Sequence, residues 1–114
     1  LGLPLPAFRL IGPDTALTPD AGKTSASRQT FVSGRAAKAA AEALRGSVLR
    51  LANAGHAATL ALEGATLTVR DGATLRRIDL AALPAEAHGH ALTAEETYDP
   101  PTTRLDADGQ GTPY

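Results

Sequence analysis

Residues 58 to 80 read ATLALEGATLTVRDGATLRRIDL, an alternation of apolar and polar side chains punctuated at Glu63-Gly64 and Asp71-Gly72. Period-2 alternation puts one set of side chains on each face of an extended chain. An acidic residue followed by glycine is turn chemistry, because glycine reaches the positive φ that tight hairpin connections demand. The stretch therefore predicts three strands, at 58 to 62, 65 to 70 and 74 to 78. Connections this short can only join antiparallel neighbours, so the strands form a meander.

Such a sheet has one apolar face to cover. The cover is predicted upstream, at residues 28 to 53. There Val32, Ala36, Ala40, Leu44 and Val48 repeat at i+4, with Ala37 and Leu51 widening the stripe and Arg35, Lys38, Glu42, Arg45 and Arg50 directed elsewhere. Asn53-Ala54-Gly55 is a helix stop. Gly46, inside the helix, costs about 1 kcal/mol relative to Ala and predicts a kink or a close approach. The expected fold is α+β in two layers: one long helix packed on a small, mainly antiparallel sheet.

Outside these elements the readings are shorter. Residues 7 to 11, AFRLI, lie between Pro6 and Gly12-Pro13 and are expected to form a first strand. Asp79 is expected to cap a short helix over LAALPAEA, with Pro84 in its first turn or at its end. Residues 90 to 98 form a last extended segment. Residues 99 to 114 are rich in Pro, Thr, Asp and Gly and are expected to be an extended tail lying on another part of a larger protein. The start at Leu1 and the close on GQGTPY agree with a piece of a longer chain, and 114 residues are of single-domain length.

Composition narrows the function classes. Eleven Lys plus Arg against twelve Asp plus Glu leave a net charge of −1, which provides no long-range field toward nucleic acid or an anionic membrane. Cysteine is absent, which removes disulfides, thiolate nucleophiles and cysteine-ligated metal clusters. No apolar run reaches the roughly 20 residues that span a bilayer, and the start has no signal-peptide pattern, so a cytoplasmic protein is expected.

Residues 20 to 34, DAGKTSASRQTFVSG, carry the chemistry. Gly22-Lys23-Thr24 resembles the end of a Walker phosphate loop. However, the first glycine of that motif is replaced by Leu17, Pro19 removes an N–H, and Asp20 sets a negative charge where phosphate oxygens would sit. An anion site does not need that motif, because a helix N-terminus offers N–H groups and a partial positive charge. Thr24, Ser25, Ser27 and Thr30 add hydroxyls. Lys23 and Arg28 add cations, the guanidinium being able to grip a phosphate with two parallel bonds. The plainer alternative is that Ser25 or Ser27 is an N-cap and Arg28 a solvated surface residue.

These residues also carry a family resemblance. Asp14-Thr15, Thr18-Pro19, Ser27-Arg28-Gln29-Thr30 and Gly34-Arg35-Ala36 resemble the molybdopterin-binding large subunit of the xanthine dehydrogenase and aldehyde oxidoreductase family, the molybdenum hydroxylases. The opening LGLP and the segment LTAEETYDPPTTRLDADGQGTPY extend the likeness over nearly the whole chain. Pro13 departs from it, separating Gly12 from Asp14 where the family has Gly-Asp.

The resemblance implies an internal part of that subunit, inactive alone, whose Thr24, Ser25, Ser27, Arg28 and Gln29 contact the pterin cofactor and its phosphate or dinucleotide tail. It implies a molybdenum-molybdopterin cofactor, including a cytosine dinucleotide form. Iron-sulfur clusters and flavin would belong to partner domains or subunits, and the partners would be these and the other domains of the large subunit. No residue here is assigned a catalytic or metal-ligating role. The family's glutamine loop lies upstream, so Gly109-Gln110-Gly111 is read as a turn. The alternative is a non-catalytic module that binds a phosphorylated ligand or a protein.

Other signals are weaker. His88 and His90 could share a strand face, but only His56 could add a third imidazole, so they are read as solvated. Glu95 and Glu96 are neighbours in extended chain and point apart. Arg76-Arg77 has no aromatic neighbour, and Tyr98 is too distant in sequence to give it a stacking platform. The serines cluster away from every histidine, which argues against a Ser-His-Asp hydrolase.

Overall fold

A computed structural model describes residues 1–12, 14–25 and 28–112. Three strands, β1 (Thr59–Glu63), β2 (Thr66–Asp71) and β3 (Thr74–Asp79), form an antiparallel sheet in the order β1-β2-β3. The register pairs Leu60 with Val69, Leu62 with Leu67, and Leu67 with Ile78, so the apolar side chains share one face. The strands begin and end within a residue of the expected positions. The turns fall on Gly64-Ala65 and Gly72-Ala73, with φ +58° at Gly64 and +59° at Gly72. Positive φ at the first central residue only is the pattern of a type II′ turn.

A methyl added at Gly72 would meet nothing within 4 Å, so its substitution tests the backbone alone. Gly72→Ala is expected to destabilise the β2–β3 hairpin by about 1–2 kcal/mol, because an L-residue resists this φ. Amide exchange along β3 would report it, and unchanged protection would contradict the turn assignment.

The helix α1 (Gly34–Leu51) is preceded by a wider π-helical turn at Gln29–Ser33, closed by the Gly34 N–H on the Gln29 carbonyl. It runs without interruption through Gly46, where an added methyl would lie 3.4 Å from Arg50 Nη1. The close approach expected there therefore comes from the next turn of the same helix. The predicted stop is a Schellman arrangement: Asn53 takes φ +50°, its N–H reaches the Arg50 carbonyl at 3.1 Å, and the Ala54 N–H reaches the Leu49 carbonyl at 2.9 Å.

The helix packs on the sheet mainly through its last two turns. Val48, Leu49 and Ala52 join Ala58, Leu60, Leu67 and Val69 as the buried core, with Leu3, Leu62, Ile78, Leu80 and Leu92 half-buried against it. Two stripe members are corrected: Leu51 is 50% exposed and Ala37 is exposed, while Leu49 and Ala52 take the inward positions. A run of alanines supplies almost no contrast between helix faces, so the sheet selects the face that carries leucine and valine. Arg45, read only as directed away from the stripe, has partners that the sequence did not show. Half-buried, its guanidinium donates to the backbone carbonyls of Leu1 (3.0 Å), His56 (3.2 Å) and Ala58, tying the N-terminus and the β1 approach to the helix.

The predicted strand at 7 to 11 does not form. Pro4 and Pro6 support a 3₁₀ turn at Leu5–Ala7, and Phe8, Leu10 and Ile11 follow without a ladder, 48%, 93% and 51% exposed. A strand is held by its neighbour's hydrogen bonds, and among the described residues no strand pairs with this segment. The predicted short helix after Asp79 stops at a turn as well. Asp79 Oδ1 does accept the Ala81 N–H at 3.0 Å, but Pro84 drives the preceding residue toward extended backbone. Residues 90 to 98 form no strand: the chain bends at Ala91-Leu92 and has no regular structure from 93 to 98.

The radius of gyration is 18.4 Å and the extents are 60 × 36 × 24 Å. A compact chain of this length would have a radius near ~13 Å. The helix contributes to that length, since its buried residues lie at its C-terminal end. Consequently Gln29 stands roughly 28 Å along the helix from the packed residue Val48.

Candidate functional site at the leading turn of the helix

The loop before the helix is closed by its own side chains. The Asp14 carbonyl accepts the N–H groups of Leu17 and Thr18 and the Thr18 hydroxyl, and Asp14 Oδ1 accepts the Ala16 N–H. Further on, Asp20 Oδ1 accepts the Gly22 N–H at 2.8 Å. A Walker loop would use that N–H for phosphate, so here the carboxylate of Asp20 has taken the place of the anion.

Gly22, at φ +77°, lies against Arg28: a methyl at Gly22 would be 3.7 Å from Nη2. That is ordinary contact distance, so glycine is required here by its positive φ and not by lack of room for a side chain. Arg28 is half-buried, and its N–H bonds the Ser25 carbonyl at 3.1 Å. Among the described residues no carboxylate pairs with the guanidinium. Arg28 is already helical, at φ −63° and ψ −34°, and its own side chain makes no cap bond. Thr24, Ser25 and Gln29 are exposed, and Gln29 Oε1 accepts the Ser33 hydroxyl at 3.1 Å. Ser27 lies outside the described residues. Arg28, Gly22 and the Ser25 backbone are therefore brought together, while the side chains of Thr24, Ser25 and Gln29 face solvent around them.

The sequence reading missed a second cluster beside this turn. Phe31 and Tyr98 meet edge to face with centroids 5.8 Å apart and planes at 76°. The Arg35 guanidinium sits 4.8 Å from the Phe31 centroid and 5.3 Å from that of Tyr98, and its Nη1 donates to the Tyr98 oxygen at 3.3 Å. The i,i+4 spacing of Phe31 and Arg35 was visible in the sequence. Tyr98, 63 residues beyond Arg35, was not.

An apolar cavity of about 460 Å³ opens elsewhere, lined by Leu3, Leu44, Val48, Leu62, Leu80 and Leu92 among others. It begins roughly 24 Å along the helix from Arg28, and its hydrocarbon walls do not suit an anion. His56, His88, His90, Glu95 and Glu96 are exposed. Among the described residues no three of His, Cys, Asp and Glu gather as a metal site. The Gly109-Gln110-Gly111 stretch is part of a turn in which Asp106 Oδ1 accepts the N–H groups of Asp108 and Gln110. No described helix is long and apolar enough to cross a membrane.

A family model for a molybdopterin cofactor-binding domain matches residues 1–114. No curated protein and no solved structure matches the chain.

Proposed function

We propose, on the premise that this chain belongs to the molybdopterin cofactor-binding domain family, that it holds the cofactor of a molybdenum oxidoreductase by the anionic tail at the leading turn of its helix. The family match over residues 1–114 carries the cofactor reading. The donor set supports the placement, since it suits a phosphate: a half-buried guanidinium with no carboxylate partner among the described residues, hydroxyls at Thr24 and Ser25, the Gln29 amide and the N–H groups of a helix N-terminus. In this reading Arg28 binds the tail with parallel bonds, Gly22 supplies the positive-φ turn of the loop beside it, and Thr24, Ser25, Ser27 and Gln29 orient it.

When bound, the cofactor supplies oxygen and electron transfer, which in the xanthine dehydrogenase and aldehyde oxidoreductase class hydroxylates an aldehyde or N-heterocycle with oxygen from water. The chain contributes binding and orientation, not the chemistry. The proposal extends to a cytoplasmic setting in the large subunit, with residues 1 to 114 as one domain of its cofactor-binding region and iron-sulfur and flavin units as partners. It also allows a mononucleotide or a cytosine dinucleotide tail. The intact protein, purified from a molybdenum-replete host, is expected to contain molybdenum and pterin together. Absence of both would favour a non-catalytic phosphate- or protein-binding module.

A further inference from the structure

We propose that Phe31, Arg35 and Tyr98 form a latch, a set of positioning residues that fixes the leading helical turn so that Arg28 and Gln29 stay aimed at the cofactor. This rests on the cofactor reading proposed above. Gln29–Ser33 is a π-turn, a local departure from the α-helix that tertiary contacts have to support, and Phe31 lies in its middle. The turn sits far from the packed end of the helix, so the core residues Val48, Leu49 and Ala52 do little to hold it.

Tyr98 reaches it from the far end of the chain. Residues 90 to 98 lack strand pairing but are anchored at one end by Leu92 against the core. At the other end Tyr98 is half-buried on Phe31 and Arg35. The segment therefore runs as a strap from the sheet to the leading turn. A guanidinium within reach of two rings at once is attracted by both, and the edge-to-face ring pair adds a fixed angle that a single apolar contact would not impose.

The test uses the intact cofactor-containing subunit with three variants, reading amide exchange at residues 28 to 33 and retention of molybdenum and pterin through gel filtration. Tyr98→Ala is expected to speed exchange there about tenfold and to lower retention severalfold. Arg35→Met, at an exposed position where folding is not at risk, is expected to move both readouts the same way. Tyr98→Phe keeps the ring and loses one long hydrogen bond, so both readouts should stay within about twofold of the parent. Unchanged exchange in Tyr98→Ala and Arg35→Met would overturn the latch, as would faster exchange with full retention, and in both cases the cofactor reading stands. A parent subunit that contains neither molybdenum nor pterin would instead remove that reading, and the latch with it.

Discussion

Arg28→Ala in the intact subunit is expected to weaken cofactor retention by roughly 10- to 150-fold. A charge-assisted, two-bond contact to a phosphate is worth about 1.5–3 kcal/mol, and each 1.4 kcal/mol is about tenfold in affinity. The geometry favours the upper part of that range. The guanidinium is half-buried along Gly22, so part of its desolvation and side-chain ordering is complete before a ligand arrives. Arg28→Lys keeps a point charge but not the planar fork, and should fall between the parent and Arg28→Ala. Molybdenum by elemental analysis and pterin by fluorescence, both followed during dialysis, would measure the effect. A thermal midpoint on the same samples would separate it from loss of fold. Equal release rates for the parent and Arg28→Ala would refute the assigned role.

Leu49→Ala is expected to cost about 2–5 kcal/mol. Leu49 is 3% exposed and belongs to a buried core of only seven described side chains, so neighbours cannot flow in to fill the cavity. Domains have net stabilities of about 5–15 kcal/mol, and a core this small sits at the low end, so this one change should release the helix from the sheet. Leu51→Ala, two residues on and 50% exposed, is the internal control, expected within about 0.5 kcal/mol of the parent. Exchange of β1 and β2 amides in the intact protein would compare the two. Equal effects would mean that Leu51 lies on the packed side of the helix, as the widened stripe predicted.

That comparison marks where sequence reasoning stopped being sufficient for the fold. The i+4 ladder located the helix and, through Val48, its packed side, but the stripe was widened the wrong way: Leu51 and Ala37 are exposed while Leu49 and Ala52 are buried, a choice that alanines, which bury little surface, do not announce. Arg45 was read only as directed away from that stripe. Its role depends on three carbonyls, at Leu1, His56 and Ala58, that meet only after the N-terminus and the β1 approach fold over the helix. At the candidate site, Arg28 and its surrounding hydroxyl and amide residues were legible as residue types ahead of a helix. The contact of Gly22 with Arg28 and the Asp20 bond to the Gly22 N–H came only with coordinates.

By itself the sequence determined the meander, its glycine turns, the helix, its Asn53 stop and the supply of donors before the leading turn. Those are short-range properties, set by φ preferences and by the period with which apolar side chains recur. Tertiary structure alone decided that residues 7 to 11 form no strand, that Leu49 and not Leu51 faces the sheet, and that Tyr98 returns to Phe31 and Arg35. Each of these outcomes turns on whether a remote segment arrives to supply hydrogen bonds or buried area, and a local pattern carries no record of its distant partner.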